Sequence, residues 1–305
     1  MLVPACFEMD FHDDVIYEQL VPAHGSQGRL SMYRRNITDV AQPPALWKRF
    51  QQALSDEASN AVLAKIIKED PMLAASVLRS ANTASILMRT PVNDVGRAMA
   101  RLGQSMVRNI VAQHAFSGVH KNHQTPEYST DSLWKHGMAV SAIAEVIAQY
   151  IPHCDRDEAA TLGLFHDIGR MGLNVIPEFS VAANLNLAQG HLQYEVDRFA
   201  CTHIEMGQLL AEHWQLPEKI MQAMAYHHHP AYAELGDIPE TIRGEVFAVY
   251  LADILAIHFG FTCGDAGIVL PHASFSELLP NISLDELAHD KRIHTELGLI
   301  QAMAF

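Results

Sequence analysis

Histidine and aspartate residues recur along the chain at spacings that could assemble a metal site. Adjacent candidates are 30, 36, 24 and 25 residues apart (136 to 166, 167 to 203, 203 to 227 and 228 to 253). Imidazole nitrogens and carboxylate oxygens suit Fe, Mn, Ni, Co or Zn, and a bridging carboxylate such as Asp167 could serve two ions. The candidates for a divalent metal centre are His136, His166-Asp167, His203, the run His227-His228-His229 and Asp253.

Most histidines must have other roles, because the chain contains 18 of them. His213, beside Trp214, and His258, in an apolar segment, are expected to be core or boundary residues, and Asp253 could equally cap a helix or form a salt bridge. The remaining histidines are expected to be solvated or locally hydrogen-bonded: His12, His24, His114, His120, His123, His153, His191, His272, His289 and His294.

The chain that positions these residues is predicted to be almost entirely helical. Apolar residues recur with helical period after residue 44, and alternating runs that would build a sheet are scarce. Ser59, Asp70 and Asp94 stand where N-caps are expected. Helices are predicted at residues 45–54, 60–68, 71–82, 95–102, 104–116, 129–150, 155–166, 177–187, 192–200, 203–214, 217–228, 242–259, 284–288 and 293–304.

The helices divide into two lobes with an extension at each end. A polar stretch at 121–130 is the best internal boundary. We therefore expect an N-terminal extension at 1–40, a helical lobe at 41–125, a second helical lobe at 126–262 and a C-terminal helical extension at 263–305. Within the first extension, a short strand or hairpin is expected at 15–20 and 29–33, on either side of Gly25 and Gly28.

Composition limits the classes of partner. Lys+Arg 21 against Asp+Glu 35 gives a net charge of −14, which opposes a broad grip on nucleic acid or anionic lipid. Basic patches such as Arg34-Arg35 are more simply solvated turns. The apolar segment Phe247–Phe261 contains Asp253 and is too short to span a bilayer. Four scattered cysteines without a C-x-x-C pair indicate a reducing, cytoplasmic compartment.

An ordered series of segments resembles the HDOD domain, the HD-related output domain of bacterial signalling proteins. The similarity begins with the run from Leu54 to Ala84 and covers roughly residues 40–260. It continues through Val95–Gly103, Leu133–His136, Gly163–Gly169, His203–Trp214 with Leu216-Pro217, and His227-His228 before Pro230. The resemblance implies an all-α fold in which an N-terminal helical lobe precedes a relative of the HD-domain phosphohydrolases.

In those enzymes, His and Asp side chains hold one or two divalent ions, and a metal-activated water attacks phosphorus. The resemblance implies that His166 and Asp167 are the name-giving pair, with His136 as the first histidine. It further implies that the second-metal ligands of the HD-GYP branch are matched by His203, His227, His228 and Asp253. The resemblance also implies a catalytic role for Asp167, and it adds Mg²⁺ to the ions that such a site would accept.

The chain departs from the HD-GYP pattern after His228, which argues against cyclic dinucleotide hydrolysis of that type, and it also differs at Ser132 and Arg170. His228 is followed by His229–Glu234 and not by Asp-x-x-Gly-Tyr-Pro. Ser132, one turn before His136, supplies no carboxylate. Arg170 replaces the usual lysine, although its guanidinium could bind phosphate in a catalytic role.

Two functional hypotheses remain open. The first is a cytoplasmic regulatory protein that acts through a signalling protein partner, with or without retained metal. The second is a metal-dependent phosphohydrolase acting on a small phosphoester or nucleotide. Function depends on the site, so likeness of fold cannot decide between them. Neither hypothesis requires nucleic acid or a membrane.

Overall fold

Helices dominate the described part of the chain. The computed structural model describes residues 4–11, 16–17, 20–37, 45–83, 92–116, 129–173, 183, 186, 188–214, 216–263 and 267–302. Helix α1 (Gln27–Asn36) belongs to the N-terminal extension. The first lobe contains α2 (Ala45–Ser55), α3 (Asn60–Lys68), α4 (Pro71–Thr83), α5 (Val95–Leu102) and α6 (Gln104–Phe116).

The second lobe begins with the longest helix. It contains α7 (Thr130–Ala148), α8 (Arg156–Phe165), α9 (Gly190–Phe199), α10 (His203–Trp214), α11 (Glu218–Tyr226) and α12 (Arg243–His258). The C-terminal part adds α13 (Leu284–Ala288) and α14 (Lys291–Gln301). Two-residue strands β1 (Ile16–Tyr17) and β2 (Gly267–Ile268) pair in parallel. The predicted all-α fold class is confirmed.

Several helices begin at the predicted caps. The Asp70 carboxylate accepts hydrogen bonds from the amides of Met72 and Leu73 at 2.9 and 3.0 Å, which starts α4. Asp94 accepts from the Arg97 amide at 3.1 Å and starts α5. These side chains satisfy amides that have no partner inside the helix. The predicted helix at 177–187 and most of the polar boundary at 121–130 lie outside the described residues.

One hydrophobic core runs through both lobes. Helix α7 packs against α8, α12 and α14, and α6 packs against α7. The Trp47 ring of the first lobe contacts the Phe165 ring of the second, with centroids 5.5 Å apart. Most buried hydrophobic residues between Phe7 and Ile300 belong to this core, and Leu20, Ala23 and Leu192 form a second, smaller cluster. The precise limits of the four predicted segments remain a prediction.

The hairpin expected in the N-terminal extension is wrong. Residues 29–33 lie in α1, because the Ser26 side chain accepts from the Arg29 amide and residues such as Leu30 and Met32 favour helix. Strand β1 falls within the expected 15–20 stretch, but its partner is β2, far along the chain.

Close backbone approaches at glycines position the elements that carry the candidate ligands. A Cβ on Gly163 in α8 would lie 3.1 Å from backbone atoms of Ser141 in α7. A Cβ on Gly169, two residues after Asp167, would lie only 1.9 Å from the carbonyl oxygen of His203. These glycines allow α8 to approach α7, and the segment after α8 to approach α10.

No helix in the described part of the chain is both long enough and apolar enough to cross a membrane.

Candidate metal centre

Six of the seven predicted ligands lie buried at one point in the second lobe. Each comes from the end or the interior of a helix that packs around this point, and each is at most 5% exposed. They are His136 within α7, His166 and Asp167 directly after α8, His203 at the start of α10, and His227 and His228 directly after α11.

Hydrogen bonds at Nδ1 orient four of the imidazole rings. Carbonyl and carboxylate oxygens can only accept here, so each Nδ1 is the donor and each Nε2 of a neutral ring carries a lone pair. The bonds run from His136 to Phe261 O (2.8 Å), from His166 to Gly163 O (2.7 Å), from His227 to Met224 O (2.8 Å), and from His203 to Glu195 Oε2 (2.7 Å). This arrangement is typical of metal-binding histidines.

The Nε2 atoms face one another at short range. His136 Nε2 lies 3.2 Å from His166 Nε2, and His203 Nε2 lies 3.1 Å from His227 Nε2. His228 Nε2 is also 3.1 Å from His203 Nε2. In the first two pairs both ring protons are at Nδ1, so lone pairs point at each other with no proton between them. Such an arrangement is stabilised by a shared cation.

Asp167 joins two groups of possible ligands. Its Oδ1 lies 3.3 Å from His203 Nε2 and 3.7 Å from His227 Nε2. Its Oδ2 lies 3.7 Å from the Nε2 atoms of both His136 and His166. Oδ1 is buried and accepts no hydrogen bond from the described residues. Two groups are therefore close enough to hold an ion: Asp167, His203, His227 and His228, and His136, His166 and Asp167.

Electrostatics favour the protonation states that a metal requires. Burial, together with the neighbouring His136 and His227, lowers the pKa of His166 to about 3. Burial also lowers the pKa of His203 and of His228. Although burial disfavours the Asp167 carboxylate, Arg170 and the surrounding imidazoles hold its pKa well below the usual value. At neutral pH these three histidines are uncharged and Asp167 is ionised, so all can donate electron pairs.

The ligand separations fit a transition metal. Two atoms each ~2.0–2.2 Å from one ion, at angles between tetrahedral and octahedral, are ~2.8–3.6 Å apart. The separations of 3.1, 3.2 and 3.3 Å agree with this range, and those of 3.7 Å are slightly larger. The residues present could therefore hold a divalent ion, and their excess of imidazole over oxygen favours Fe, Mn, Co, Ni or Zn over Mg²⁺.

Asp253 stands apart from both groups. Its Oδ1 lies 3.3 Å from His136 Nε2, and its side chain is 18% exposed, more than any other predicted ligand. It belongs to neither group of atoms close enough to share an ion. Asp253 therefore lies beside the second group, on the side nearer to solvent.

Three further residues contact the centre and were missed by sequence reasoning. Glu195 is fully buried and accepts from both the backbone amide and Nδ1 of His203. Cys263 Sγ lies 3.4 Å from Asp167 Oδ2. His191 is buried, with Nε2 3.4 Å from His228 Nε2, so the expectation that it is solvated or only locally bonded is wrong. It lies here because α9 packs its first turn against the centre, which no local sequence signal revealed. Glu195, eight residues before His203, could have been suspected as a carboxylate support for a ligand.

Arg170 is directed into the centre. It is buried, its Nε lies 2.8 Å from Asp167 Oδ2, and it donates to the carbonyl of Cys263 at 3.1 Å. The guanidinium therefore neutralises Asp167, and the predicted contact with phosphate stays a prediction.

Known proteins resemble the chain in sequence and in fold. It is 23% identical over 228 residues to an uncharacterised protein from Treponema pallidum (strain Nichols), and this match covers 72% of the chain but only 42% of that relative. A solved HDOD domain protein of unknown function from Geobacter sulfurreducens superposes with a TM-score of 0.64 at 20% identity, covering 92% of this chain and 99% of the other.

Two other structures carry functional descriptions of their own. A protein from Marinobacter aquaeolei VT8, proposed to act in signal transduction, gives a TM-score of 0.65 at 20% identity, covering 90% of this chain and 65% of the other. A protein from Shewanella amazonensis SB2B, proposed to be a metal-dependent phosphohydrolase, gives a TM-score of 0.57 at 17% identity, covering 90% and 97%. At these identities the likeness establishes the fold.

The family assignment depends on the sequence itself. The family model of the HDOD domain matches residues 40–230, which include the first lobe and most of the ligand set. This agreement extends over more than half of the chain. The chain belongs to the HDOD domain family.

Proposed function

We propose that this protein is a regulatory output module of a bacterial signalling pathway, which contacts a partner protein and holds a divalent metal in its second lobe. The observation that carries the proposal is the extent of the family match. Residues 40–230 include the helical lobe before α7 as well as the metal centre. The free thiols of the four cysteines support a reducing cytoplasm as its location.

The interior of the centre supports a regulatory role for the metal. The candidate ligands of the larger group are each at most 5% exposed, so access for a substrate is narrow. Arg170, the cation nearest to Asp167, is engaged with that carboxylate and with a backbone carbonyl. A metal held this way would stabilise the second lobe by linking the ends of α8, α10 and α11.

Affinity capture of the full chain from its own cells tests the proposal. The baits are the wild type, Asp167→Asn and, as a matched control, Asp285→Asn at a position that is 52% exposed. We expect one partner protein to be captured in the same amount per bait molecule by the wild type and by Asp285→Asn. Asp167→Asn should capture less of it. Absence of a specific partner, together with turnover of a phosphoester that depends on Asp167, would overturn the regulatory role.

The ligand geometry also favours a second candidate function, metal-dependent phosphoester hydrolysis. A divalent ion would supply Lewis acidity and an activated water. In such an enzyme Asp167 would orient the ligand set, while the partly exposed Asp253 would lie on the side from which substrate approaches. The resemblance in fold to a protein proposed to be a metal-dependent phosphohydrolase is consistent with this candidate.

A turnover assay separates the two candidates. Protein loaded with Mn²⁺, Fe²⁺, Co²⁺ or Zn²⁺ is incubated with p-nitrophenyl phosphate, its bis ester, nucleotides and cyclic dinucleotides. The enzymatic candidate predicts that hydrolytic activity is lost in Asp167→Asn and retained in Asp285→Asn. Equal phosphate release by the wild type and Asp167→Asn would dismiss the enzymatic candidate.

A further inference from the structure

The two carboxylate oxygens of Asp167 have different surroundings. Oδ1 faces the imidazoles of His203 and His227 and accepts no hydrogen bond from the described residues. Oδ2 lies 2.8 Å from Arg170 Nε and 3.4 Å from the thiol of Cys263. A metal could bind at Oδ1 directly, whereas at Oδ2 it would compete with a cation already present.

We call the two groups of ligands the inner half-site and the outer half-site. The outer half-site consists of His136, His166 and Asp167 Oδ2, with Asp253 beside His136. The inner half-site consists of Asp167 Oδ1, His203, His227 and His228. The inner half-site thus offers four ligand residues around an uncontested oxygen, and the outer half-site offers three around a contested one.

Charge makes the half-sites more unequal. The charged groups at the two half-sites are Asp167, Glu195 and the partly exposed Asp253, which are acidic, and Arg170, which cannot be deprotonated in a protein. One divalent ion would neutralise the net negative charge of these three acidic groups and one basic group, and a second ion would add two positive charges in a region shielded from water. Repulsion between cations is strong where the local dielectric is low, so the second ion must bind more weakly.

Arg170 has little freedom to move away. Its guanidinium donates a hydrogen bond to the Cys263 carbonyl and forms an ion pair with Asp167, and the side chain is only 3% exposed. The turn that carries it, Ile168–Gly172, is held against α10 by the close approach of Gly169 to His203. The Arg170 guanidinium is therefore a fixed part of the centre.

We propose that Arg170 acts as a built-in cation that makes metal loading sequential. One ion binds tightly at the inner half-site, and a second binds weakly and reversibly at the outer half-site. This inference depends on the metal centre of the proposed function. It gives that centre a sensing element, because occupancy of the outer half-site follows the concentration of available metal while the inner ion stays bound.

Titration of chelator-treated full-length protein with Co²⁺, followed by visible absorption and calorimetry, tests the proposal. We expect one tight ion and a second at least ~10-fold weaker. Arg170→Gln should tighten the second ion ~10-fold or more and leave the first within a few-fold. Arg170→Lys should keep the two steps apart, because the cation is retained. Arg156→Gln, at an exposed position paired with Glu145, is the matched control for loss of one positive charge and should titrate like the wild type.

Variants in each half-site assign the two steps. Asp253→Asn should weaken the second step and spare the first, and His228→Ala should weaken the first. Circular dichroism and thermal unfolding of each apoprotein show whether it is folded. Equal affinity for two ions in the wild type, or no change in Arg170→Gln, would overturn the role of Arg170. Failure of every folded variant and of the wild type to bind Co²⁺, Mn²⁺ or Zn²⁺ would instead refute the metal centre itself.

Discussion

At the scale of single residues, the centre depends on groups that hold the ligands as much as on the ligands. Burial disfavours ionisation of Glu195, yet its interaction with the adjacent His203, which includes a hydrogen bond, and the positive charge of Arg170 keep the pKa of that carboxyl below its usual value. Glu195 is therefore charged and able to accept from the imidazole. A carboxylate in this position fixes the ring orientation and increases the electron density at the metal-facing nitrogen.

Replacement of Glu195 by Gln tests this support. We expect metal affinity to fall ~10-fold or more, because the amide is neutral and one of its two heteroatoms cannot accept. Competition with a chromogenic chelator measures the change. Glu240→Gln, at an exposed position, is the control and should retain wild-type affinity. Unaltered affinity in Glu195→Gln would show that His203 needs no charged partner.

The clustering of six candidate ligands could be predicted from sequence, whereas most of the residues that support them could not. His136, His166, Asp167, His203 and His227-His228 belong to local motifs whose order matches a family. Glu195, His191 and Cys263 reach the centre through the packing of α9 and of the segment after α12. Only Glu195, a carboxylate eight residues before His203, carried any signal in the sequence. Asp253 was predicted with the ligands, but the structure leaves it beside them.

At the scale of elements, the segment after α8 and the start of α10 must approach closely for Asp167 to reach His203. Gly169→Ala would place a Cβ 1.9 Å from the His203 carbonyl oxygen, so one of the two backbones must move. We expect the free energy of unfolding to fall by about 3–5 kcal/mol and metal affinity to fall with it. Urea denaturation and metal analysis measure both quantities.

The control for this prediction is Gly298→Ala in α14, where a Cβ would meet no atom within 4 Å. Alanine favours helix over glycine, so this change should be neutral or should stabilise the protein by about 0.5–1 kcal/mol. If Gly169→Ala were as stable as Gly298→Ala, the close approach would not be required.

The contact between α14 and α7 should make stability depend on pH. Burial, with a contribution from Glu145, raises the pKa of Glu296 to about 7, from 4.5. The folded chain therefore holds a proton that the unfolded chain releases as the pH rises from about 4.5 to 7, and stability falls across this interval. Partial exposure of Glu296 limits the loss to about 1–2 kcal/mol.

Glu296→Gln should remove this dependence, because the amide remains neutral at every pH. Urea denaturation at pH 5 and pH 8 compares the variant with the wild type and with Glu240→Gln. The prediction requires the wild type to lose more stability than Glu296→Gln between these two values. Parallel losses in all three proteins would contradict it.

Several helix boundaries followed from the sequence. Helices α3, α6, α10 and α13 have the predicted bounds, and α4 and α5 begin after the predicted Asp caps. The failure at residues 29–33 has a physical cause. Glycines at 25 and 28 suggested a turn between strands, but Ser26 caps α1 and Gly28 lies within its first turn.

At the scale of the whole molecule, the N-terminal extension is part of the second lobe's support. The Tyr33 hydroxyl lies 2.6 Å from the carbonyl oxygen of Phe199 and 2.9 Å from that of Leu173. The Glu205 carboxylate accepts from the amides of Gly25 and Thr202. The extension thus contacts the residues that immediately precede His203.

Tyr33→Phe should lower the free energy of unfolding by about 1–3 kcal/mol, because buried carbonyl groups lose a hydrogen-bond donor. Chemical denaturation measures the loss. Tyr194→Phe, at a partly exposed position in α9, serves as the control and should change stability by less than about 0.5 kcal/mol. Equal stability of Tyr33→Phe and the wild type would mean that the extension is held by its apolar contacts alone.

The parallel pairing of β1 with β2 has a consequence for biosynthesis. Residues 16–17 leave the ribosome early, but their partners at 267–268 emerge only after every candidate metal ligand has been made. Because long-range pairing forms late, the second lobe can assemble and take up metal before the strand pair closes. The N-terminal extension would then complete its packing last, after the metal centre has taken up its ion.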